Sequence, residues 1–341
     1  MSLDVQNALD LLIALLPETI LSVWAMVLLL FAAWRHGDPR AQRQTGWLSL
    51  IGIAAAFAAC AWLWASGARV DGMPTSVAVD GFRWAVDLIV LLGAGLVVLL
   101  SLDYLDREGI RIPEYHVLVL FAAVGMMLLA GGEDLFVVFL GLELMSVSVY
   151  VLAGINRKSP ASAEAALKYF LLGAFASAFL LYGIAMLYGA TGSTRLGIIG
   201  FQIGSLQLAN HPLVLAGLAM VFVGFGFKVA AVPFHMWTPD VYDGAPTPIT
   251  AFMSASVKAA AFAALVRILL HAVPQLHGSW DVVLWWLAAL TMVVGAPRVS
   301  ALGQAGRTFS EPLCASSTPV ILRCRIRKPR GAPHTHGART P

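Results

Sequence analysis

Lysines inside apolar runs are the residues of this sequence whose position most directly suggests chemistry. Lys228 lies in VGFGFKVAAVPFH, 223–235, and Lys258 lies in SASVKAAAF, 254–262. A charge at the centre of a membrane-spanning helix costs about 2.5–3.5 kcal/mol on insertion scales, so such residues usually face a partner or a water-filled path. Burial disfavours the charged amine, and a nearby carboxylate favours it. Lysines at these positions can therefore take up and release protons.

A third lysine and one acid complete this group. Lys168 lies inside the apolar run at 161–190, and Glu143 lies close to the middle of the run at 135–154. A helix movement that brings Glu143 toward a lysine, or takes it away, would switch that lysine between holding and releasing a proton. Together the four residues predict proton transfer within the membrane, as in an ion pump.

The sequence also leaves a purely structural interpretation open for each lysine. Glu164 precedes Lys168 by four residues, which is the spacing of an ion pair on one helix face. Lys228 precedes Pro233 by only five residues, so its side chain could extend to the membrane interface. Lys258 lies deeper in its apolar run, where such an extension is harder, and the alternative there is a buried structural charge.

Other polar positions have less specific interpretations. Glu143 could belong to a static buried pair, and His235, close to a helix end, could relay protons or cap the chain. Arg267 lies near the outer end of its apolar run, and we expect it to contact lipid head groups. Gly224 and Gly226 superficially resemble a dinucleotide-binding fingerprint, but no strand precedes them, and we discard that interpretation.

Membrane-spanning helices must position these residues. Of the 341 residues, 59% are hydrophobic and 12% are charged, whereas soluble domains are typically about 45–50% apolar and about 25% charged. Spanning the hydrocarbon core takes about 20 apolar residues in a helix. The sequence therefore predicts an all-α, polytopic transmembrane helix bundle with eight or nine spans, the last of them short. The apolar runs lie at about 11–34, 47–65, 84–102, 113–130, 135–154, 161–190, 213–232, 249–270 and 280–295.

The charge balance divides the chain at Gly295. Residues 1–295 contain 14 Lys and Arg against 18 Asp and Glu, and residues 296–341 contain 8 against 1. The second segment is rich in Arg, Pro and Ser and has no sustained apolar run, a composition typical of disorder. We therefore expect 273–295 to be the start of a ninth span that stops early, and 296–341 to be a basic, disordered tail.

The orientation of the bundle follows from its short loops, because basic residues resist translocation across the membrane. Seven basic residues fall on one side and three on the other, which predicts that the amino terminus lies outside the cytoplasm. The first span is expected to be retained, because its apolar run is much longer than the core of a signal peptide. The seven are Arg35, Arg40, Arg43, Arg107, Arg111, Arg157 and Lys158, and the three are Arg69, Arg83 and Arg195.

No residue pattern indicates a metal site or a redox centre. The three cysteines, Cys60, Cys314 and Cys324, form no CxxC pair and have no spacing of metal ligands. The sequence therefore predicts neither a disulfide framework nor an iron–sulfur cluster. No nucleic-acid partner is expected, and the lipid bilayer is the predicted surrounding.

Three stretches of this chain resemble a known family. They are GLELMSVSVYVLAG at 141–154, FKVAAVPFHMWTPDVYDGAPTPITAF at 227–252 and SASVKAA at 254–260. They are similar to the antiporter-like membrane subunits of respiratory complex I, the proton-pumping NADH:quinone oxidoreductase, and most of all to its subunit N, also called subunit 2. The likeness runs from about residue 10 to 295.

The resemblance implies a role for each candidate residue. Glu143 takes the place of the family's essential glutamate, Lys228 that of its lysine partner, Lys258 that of the central lysine, and Lys168 that of the bridging lysine. His235 is a weaker candidate for proton transfer. The resemblance also implies a chain without a redox centre, whose parent complex holds NAD, FMN, iron–sulfur clusters and quinone in other subunits. Neighbouring antiporter-like subunits are the implied partners, in the bacterial inner membrane.

The resemblance further implies the first half of a fold of about fourteen helices. On this basis we assign 1–112 to about three N-terminal spans and 113–272 to the antiporter-like helical repeat. The basic tail resembles the product of a frameshift in a GC-rich gene, and we predict that it is not native family sequence. Two rival functions stay open, namely a subunit of a stand-alone cation/proton antiporter and an inactive membrane scaffold whose buried charges are only paired.

Overall fold

The computed structural model describes residues 2–3, 8–35, 38, 40–70 and 76–305. Within these ranges the fold is all-α, as the sequence predicts, apart from a parallel pairing between the two-residue strands Ser2–Leu3 and Arg69–Val70. Residues 306–341 lie outside the described residues, and with them most of the segment predicted to be a disordered or frameshifted tail.

The described residues form thirteen α-helices. Nine spans in this part of the chain are long and apolar enough to cross a membrane, and one of them, Thr247–His271, combines α11, a π-helical turn at Met253–Val257 and α12. The helices are α1 (Ala8–Ala14), α2 (Leu16–Trp34), α3 (Ala41–Ala65), α4 (Gly81–Glu108), α5 (Glu114–Gly131), α6 (Leu135–Ala153), α7 (Pro160–Thr191), α8 (Leu196–Ser205), α9 (Pro212–Val229), α10 (Thr238–Gly244), α11 (Thr247–Phe252), α12 (Lys258–His271) and α13 (His277–Ala305).

Local sequence signals explain where several helices begin and end. The Asp80 side chain accepts a hydrogen bond from the backbone N–H of Arg83 at 2.7 Å, and Asp134 accepts one from Phe136 at 2.8 Å, so these acids cap α4 and α6. Gly109 ends α4 in the left-handed conformation, with φ of 65°, which glycine adopts without steric cost.

The last helix extends past its apolar span. The change in composition at Gly295 predicted that the ninth span stops there, and the apolar span of membrane length is Pro274–Gly295, while the helix itself continues to Ala305. Trp285, Trp286 and Met292 on this helix are exposed. The span Pro274–Gly295 therefore buries little of its surface against the rest of the bundle.

The core of the bundle is built around α5 and α6. A Cβ atom at Gly125 would lie 2.4 Å from the backbone nitrogen of Met145, and one at Gly141 would lie 2.5 Å from that of Leu129. These glycines therefore allow the two backbones to touch, which is how membrane helices associate where lipid offers no hydrophobic drive. Tyr115, on α5, is fully buried in this region.

The segment after α9 is structured. Helix α9 ends at Val229, and Ala230 adopts the left-handed conformation with φ of 60°. Trp237 is buried and donates a hydrogen bond from Nε1 to the carbonyl oxygen of Phe227 at 3.1 Å. The short helix α10 follows and packs against α7. This connection holds the end of α9 inside the protein.

Candidate proton-transfer site

Lys228 occupies the last turn of α9, and the polypeptide that follows it folds back over this turn. The backbone N–H of Ala231 donates to the carbonyl oxygen of Gly226 at 2.9 Å, which closes the helix end. The Lys228 residue is 2% exposed. Its side chain therefore does not extend to an interface, and the structure disfavours that alternative.

Aromatic side chains surround the Lys228 amine. Its Nζ lies 3.4 Å from the hydroxyl oxygen of Tyr150, and lies 5.1 Å and 5.4 Å from the ring centroids of Tyr150 and Tyr169. Trp237 stacks on Tyr169 with ring centroids 4.4 Å apart and an angle of 12° between the planes. A hydroxyl acceptor and two ring faces stabilise an ammonium without binding it as tightly as a carboxylate would. Such surroundings suit an amine that exchanges a proton.

Glu143 lies on the same side of α6 as Tyr150, because seven residues are about two turns of an α-helix. Its Oε1 atom is buried and has no hydrogen-bond partner among the described residues. Within that part of the chain no ion pair of 4.0 Å or less joins Glu143 to Lys228. The proposed modulation of the lysine by this acid stays a prediction, and a static Glu143 ion pair is absent from the described region.

Lys258 is the first residue of α12, directly after the π-helical turn at Met253–Val257. Its residue is half-buried, and Nζ lies 5.9 Å from the ring centroid of Tyr242. A π-helical turn inserts one extra residue into a helix and is often found at functional sites. Here it lies beside the lysine that the resemblance assigns to the centre of the path.

Lys168 has a different environment from the other two lysines. Its Nζ lies 2.7 Å from Glu164 Oε1 and 2.5 Å from Asp240 Oδ2, and its side chain is 41% exposed. The local pair with Glu164 that the spacing suggested is therefore formed, and Asp240 adds a link between α7 and α10. The structure does not bring Lys168 into the aromatic surroundings of Lys228, and its transfer role stays a prediction.

His235 lies in the turns between α9 and α10 and is half-buried. It occupies the connection that covers Lys228, which places it near the candidate path. Whether His235 relays protons or caps a helix end stays a prediction.

Arg267 does not contact head groups as its position in the sequence suggested, and that expectation is wrong. The residue is 3% exposed, and Nη1 donates to Asp80 Oδ2 at 2.8 Å and to Glu133 Oε1 at 2.7 Å. His271 Nδ1 lies 3.0 Å from the same Glu133 oxygen. The end of α12 packs on α5 and on the start of α4, so acids from two connections neutralise the guanidinium inside the protein.

The two acids that bind Arg267 lie outside the spanning helices. Burial favours the neutral form of Asp80, but hydrogen bonds and charge from Arg267 outweigh it and hold the pKa of Asp80 below its usual value. Burial also favours the neutral form of Glu133, but the hydrogen bonds from His271 and Arg267 outweigh this effect and lower the pKa of Glu133. Both carboxylates are therefore ionised at neutral pH.

A second buried arginine was missed by the sequence reasoning. Arg83, counted there among the loop residues, lies within α4 and is fully buried. It forms an ion pair with Glu18 of α2, and its Nε lies 3.3 Å from Asp87 Oδ2. Arg83 therefore no longer counts among the three basic loop residues on its side of the membrane that were used to predict the orientation. The spacing of four between Arg83 and Asp87 was the sequence signal that could have identified their contact.

Comparison with known proteins decides the family. A profile described as NADH:quinone oxidoreductase/Mrp antiporter, transmembrane, matches residues 132–305, which include every candidate residue of the site. The chain belongs to this family. The match covers α6 to α13 and extends past Gly295, where the sequence placed the start of the tail.

Relatives in the antiporter family are similar over most of this chain. The NADH-quinone oxidoreductase subunit N of Gemmatimonas aurantiaca is 51% identical over 310 residues, covering 88% of this chain and 59% of the relative. That of Trichlorobacter lovleyi is 50% identical over 281 residues, covering 82% of this chain and 57% of the relative. The chain thus spans somewhat more than half the length of these relatives.

Solved structures support the antiporter-family fold. A chain of respiratory complex I from Thermus thermophilus with bound aureothin is 40% identical and matches with a TM-score of 0.67, covering 83% of this chain and 58% of that one. The Mrp complex from Dietzia sp. matches with a TM-score of 0.60 at 22% identity, covering 75% of this chain and 49% of that one, and shows the fold alone.

Among the described residues no group of three His, Cys, Asp or Glu side chains could hold a metal ion.

Proposed function

We propose that this chain is a proton-translocating membrane subunit of an NADH:quinone oxidoreductase, which couples electron transfer in other subunits to proton pumping. One observation carries the proposal, namely that Lys228 is buried among aromatic side chains without a carboxylate ion pair in the described residues. A static structural lysine would be expected to have such a partner, because an unpaired buried charge is costly. Support also comes from relatives at 50–51% identity that are named subunit N.

In this proposal each site residue has a distinct role. Glu143 modulates the charge of Lys228, and the proton passes by way of Lys168 and Lys258. His235, in the connection over Lys228, is a further candidate for the relay. Electron transfer takes place in other subunits, which supply the NAD, FMN, iron–sulfur clusters and quinone of the parent complex. The chain itself supplies only proton-carrying side chains and would hold no redox cofactor.

The same proposal extends to partners and location. The chain would lie in the bacterial inner membrane with its amino terminus outside, beside neighbouring antiporter-like subunits that deliver the driving signal laterally. This arrangement is supported by the similarity to a chain of the Thermus thermophilus complex. A cysteine placed near the amino terminus and labelled from one side of sealed vesicles would test the orientation.

The role of the lysines is tested in the assembled complex in sealed membrane vesicles. Lys228→Ala, Lys258→Ala and Glu143→Ala should each reduce NADH-driven proton uptake and the coupled reduction of quinone. Lys158→Ala is the matched control, because Lys158 is exposed in the connection between α6 and α7. Full pumping in the first three variants would contradict the proposed roles.

Two rival functions are separated by different measurements. A stand-alone cation/proton antiporter would exchange ions in vesicles without NADH, and would not migrate with NADH dehydrogenase activity on a native gel. A membrane scaffold would assemble into the complex and would tolerate loss of the lysine amines. Assembly together with the loss of pumping in Lys228→Ala would exclude both rivals.

A further inference from the structure

Two buried carboxyl groups share one guanidinium group near the start of α4. Arg83 donates from Nη2 to Glu18 Oε1 and from Nη1 to the carbonyl oxygen of Ala78 at 2.6 Å. Its contact with Asp87, from Nε to Oδ2, is 3.3 Å long and does not have hydrogen-bond geometry. The directed hydrogen bonds of the guanidinium therefore go to Glu18 and the backbone, and not to Asp87.

Asp87 is poorly solvated for an anion. The residue is 0% exposed, and neither of its carboxyl oxygens accepts a hydrogen bond from the described residues. An ionised carboxylate that is buried without hydrogen bonds is strongly disfavoured, and the usual outcome is that the group binds a proton. A second anion close by, Glu18, disfavours ionisation further.

The groups that face Asp87 are Glu18 from α2, Arg83 from α4 itself and Arg267 from α12, together with the Cys60 thiol of α3. Each of the two cations among them is directed at another acid. Cys60 is fully buried, and its Sγ donates to the carbonyl oxygen of Trp84 at 3.6 Å. The cation that Arg83 provides is directed at Glu18.

The guanidinium group of Arg267 is likewise directed at other acids. It donates to Asp80 and to Glu133 within 2.8 Å, and the pKa of each of these acids is lowered, so two anions already face this one cation. Asp80, Glu133, Glu18 and Asp87 are four carboxyl groups, and the cationic groups that contact them are Arg83, Arg267 and the His271 imidazole beside Glu133. Charge balance in the low-dielectric interior therefore favours one carboxyl group in its neutral form.

We propose that Glu18 and Asp87 form a proton-binding pair, in which Asp87 holds a proton at neutral pH and Arg83 neutralises Glu18. The site is separate from the lysines of the proposed path, and its occupancy does not depend on the proposed function. It lies about two helical turns into α4, counted from Gly81.

A chain of polar contacts connects the backbone of Arg83 with the surface. The Asp80 side chain accepts from the backbone N–H of Arg83 at 2.7 Å and from Arg267, which contacts Glu133. Glu133 in turn contacts His271, whose side chain is 45% exposed. This network reaches the backbone of Arg83 and not the Asp87 carboxyl group, so exchange of the Asp87 proton with deuterium requires prolonged incubation in D₂O.

Infrared spectroscopy of the full 341-residue chain in liposomes at neutral pH tests the proposal. The protein should show the C=O stretching band of a protonated carboxyl group, and the band should move to lower frequency after prolonged incubation in D₂O. Asp87→Asn should abolish it. Asp103→Asn, an exposed acid on the same helix, is the control and should leave it unchanged. Absence of the band, or its survival in Asp87→Asn, would overturn the proposal.

Thermal unfolding distinguishes a proton-binding pair from a structural ion triad. Asn is a close mimic of a neutral Asp side chain, so Asp87→Asn should leave Tm unchanged, whereas Arg83→Gln should lower Tm because Glu18 then loses its partner. If Asp87 were ionised, its replacement would leave Arg83 with less balancing charge and lower Tm. A fall in Tm, or failure of Asp87→Asn to fold when Asp103→Asn folds, would refute the assignment.

Discussion

The Oγ atom of Ser256 lies 2.0 Å from the position that a Cβ atom would take at Gly93. Ser256 belongs to the π-helical turn of Met253–Val257, and Gly93 lies on α4, which packs against that turn. Glycine at this position therefore lets α4 approach the turn that precedes Lys258. The close contact connects the turn before Lys258 to the N-terminal spans.

Gly93→Ala should destabilise the protein by about 1–3 kcal/mol, because the added methyl group overpacks a tight helix contact. The free energy of unfolding in detergent measures this effect. Gly95→Ala is a matched control two residues away, where the nearest atom to the new Cβ would be Ile53 Cγ2 at 3.8 Å. Gly95→Ala should stabilise the protein by about 0.5–1 kcal/mol, the usual gain from replacing a helical glycine, and equal effects of the two changes would contradict the contact.

A second substitution, at Ser256, should reverse the effect of Gly93→Ala. The next nearest atom to the Cβ position at Gly93 is Ser256 Cβ at 3.4 Å, an ordinary van der Waals distance. Ser256→Ala removes the clashing oxygen, so the double variant should recover most of the stability lost in Gly93→Ala. A double-mutant cycle with no coupling between the two sites would show that the strain lies elsewhere.

Lys228→Met should stabilise the fold while it abolishes proton pumping. Met fills nearly the same volume and removes the cost of a buried amine that has no ion pair in the described residues, for a gain of about 1–2 kcal/mol. Unfolding of the isolated chain and pumping by the assembled complex are the two measurements. Lys158→Met, at an exposed position, should change neither. A loss of stability in Lys228→Met would instead indicate a structural lysine.

The sequence located the spans and the lysines because both follow from one physical rule. Hydrocarbon excludes charge, so a long apolar run predicts a spanning helix. A lysine within such a run, such as Lys228, is unusual because a charge there costs free energy. The same rule explains the error at Arg267, which was assigned to lipid because its run ends nearby. Its acids, Asp80 and Glu133, come from other connections, and no local pattern indicates which chain segments meet at a helix end.

The features that the sequence did not predict depend on pairings between distant segments. Glu18 and Arg83 are 65 residues apart and share no local pattern, yet form an ion pair in the interior. The π-helical turn before Lys258 was not predicted, because residues of the run that contains it are compatible with a regular α-helix. Lys168 shows the opposite case, since its contact with Glu164 is local and was expected from spacing.

Arg267→Gln should destabilise the protein by about 3 kcal/mol, because two acids lose the cation that neutralises them. This value is at the lower end for a broken buried pair, since Asp80 stays partly in contact with solvent. Thermal or denaturant unfolding measures the effect. Arg111→Gln is the control, because Arg111 is exposed before the start of α5. Unchanged stability in Arg267→Gln would contradict the buried network.

Stability should decrease on acidification through the acids that bind Arg267. The pKa values of Asp80 and Glu133 are lower in the folded protein than in the unfolded chain, where carboxyl groups titrate near pH 4. A carboxyl group with a lowered folded pKa contributes stability above its unfolded pKa and loses that contribution as pH falls through the folded pKa. The affected window therefore lies below about pH 4.

Tm measured from neutral pH down through about pH 4 tests this dependence, because the stability that both acids contribute declines as the pH falls below their unfolded pKa. Asp80→Asn and Glu133→Gln should each lower Tm at neutral pH and flatten its fall on acidification, since each removes one group whose protonation is linked to unfolding. Asp106→Asn, an exposed acid on α4, should leave both the Tm at neutral pH and the slope unchanged. If Asp80→Asn and Glu133→Gln kept the full acid dependence, the hydrogen bonds to Arg267 would not be its source, and the loss of stability would have to arise from other carboxyl groups.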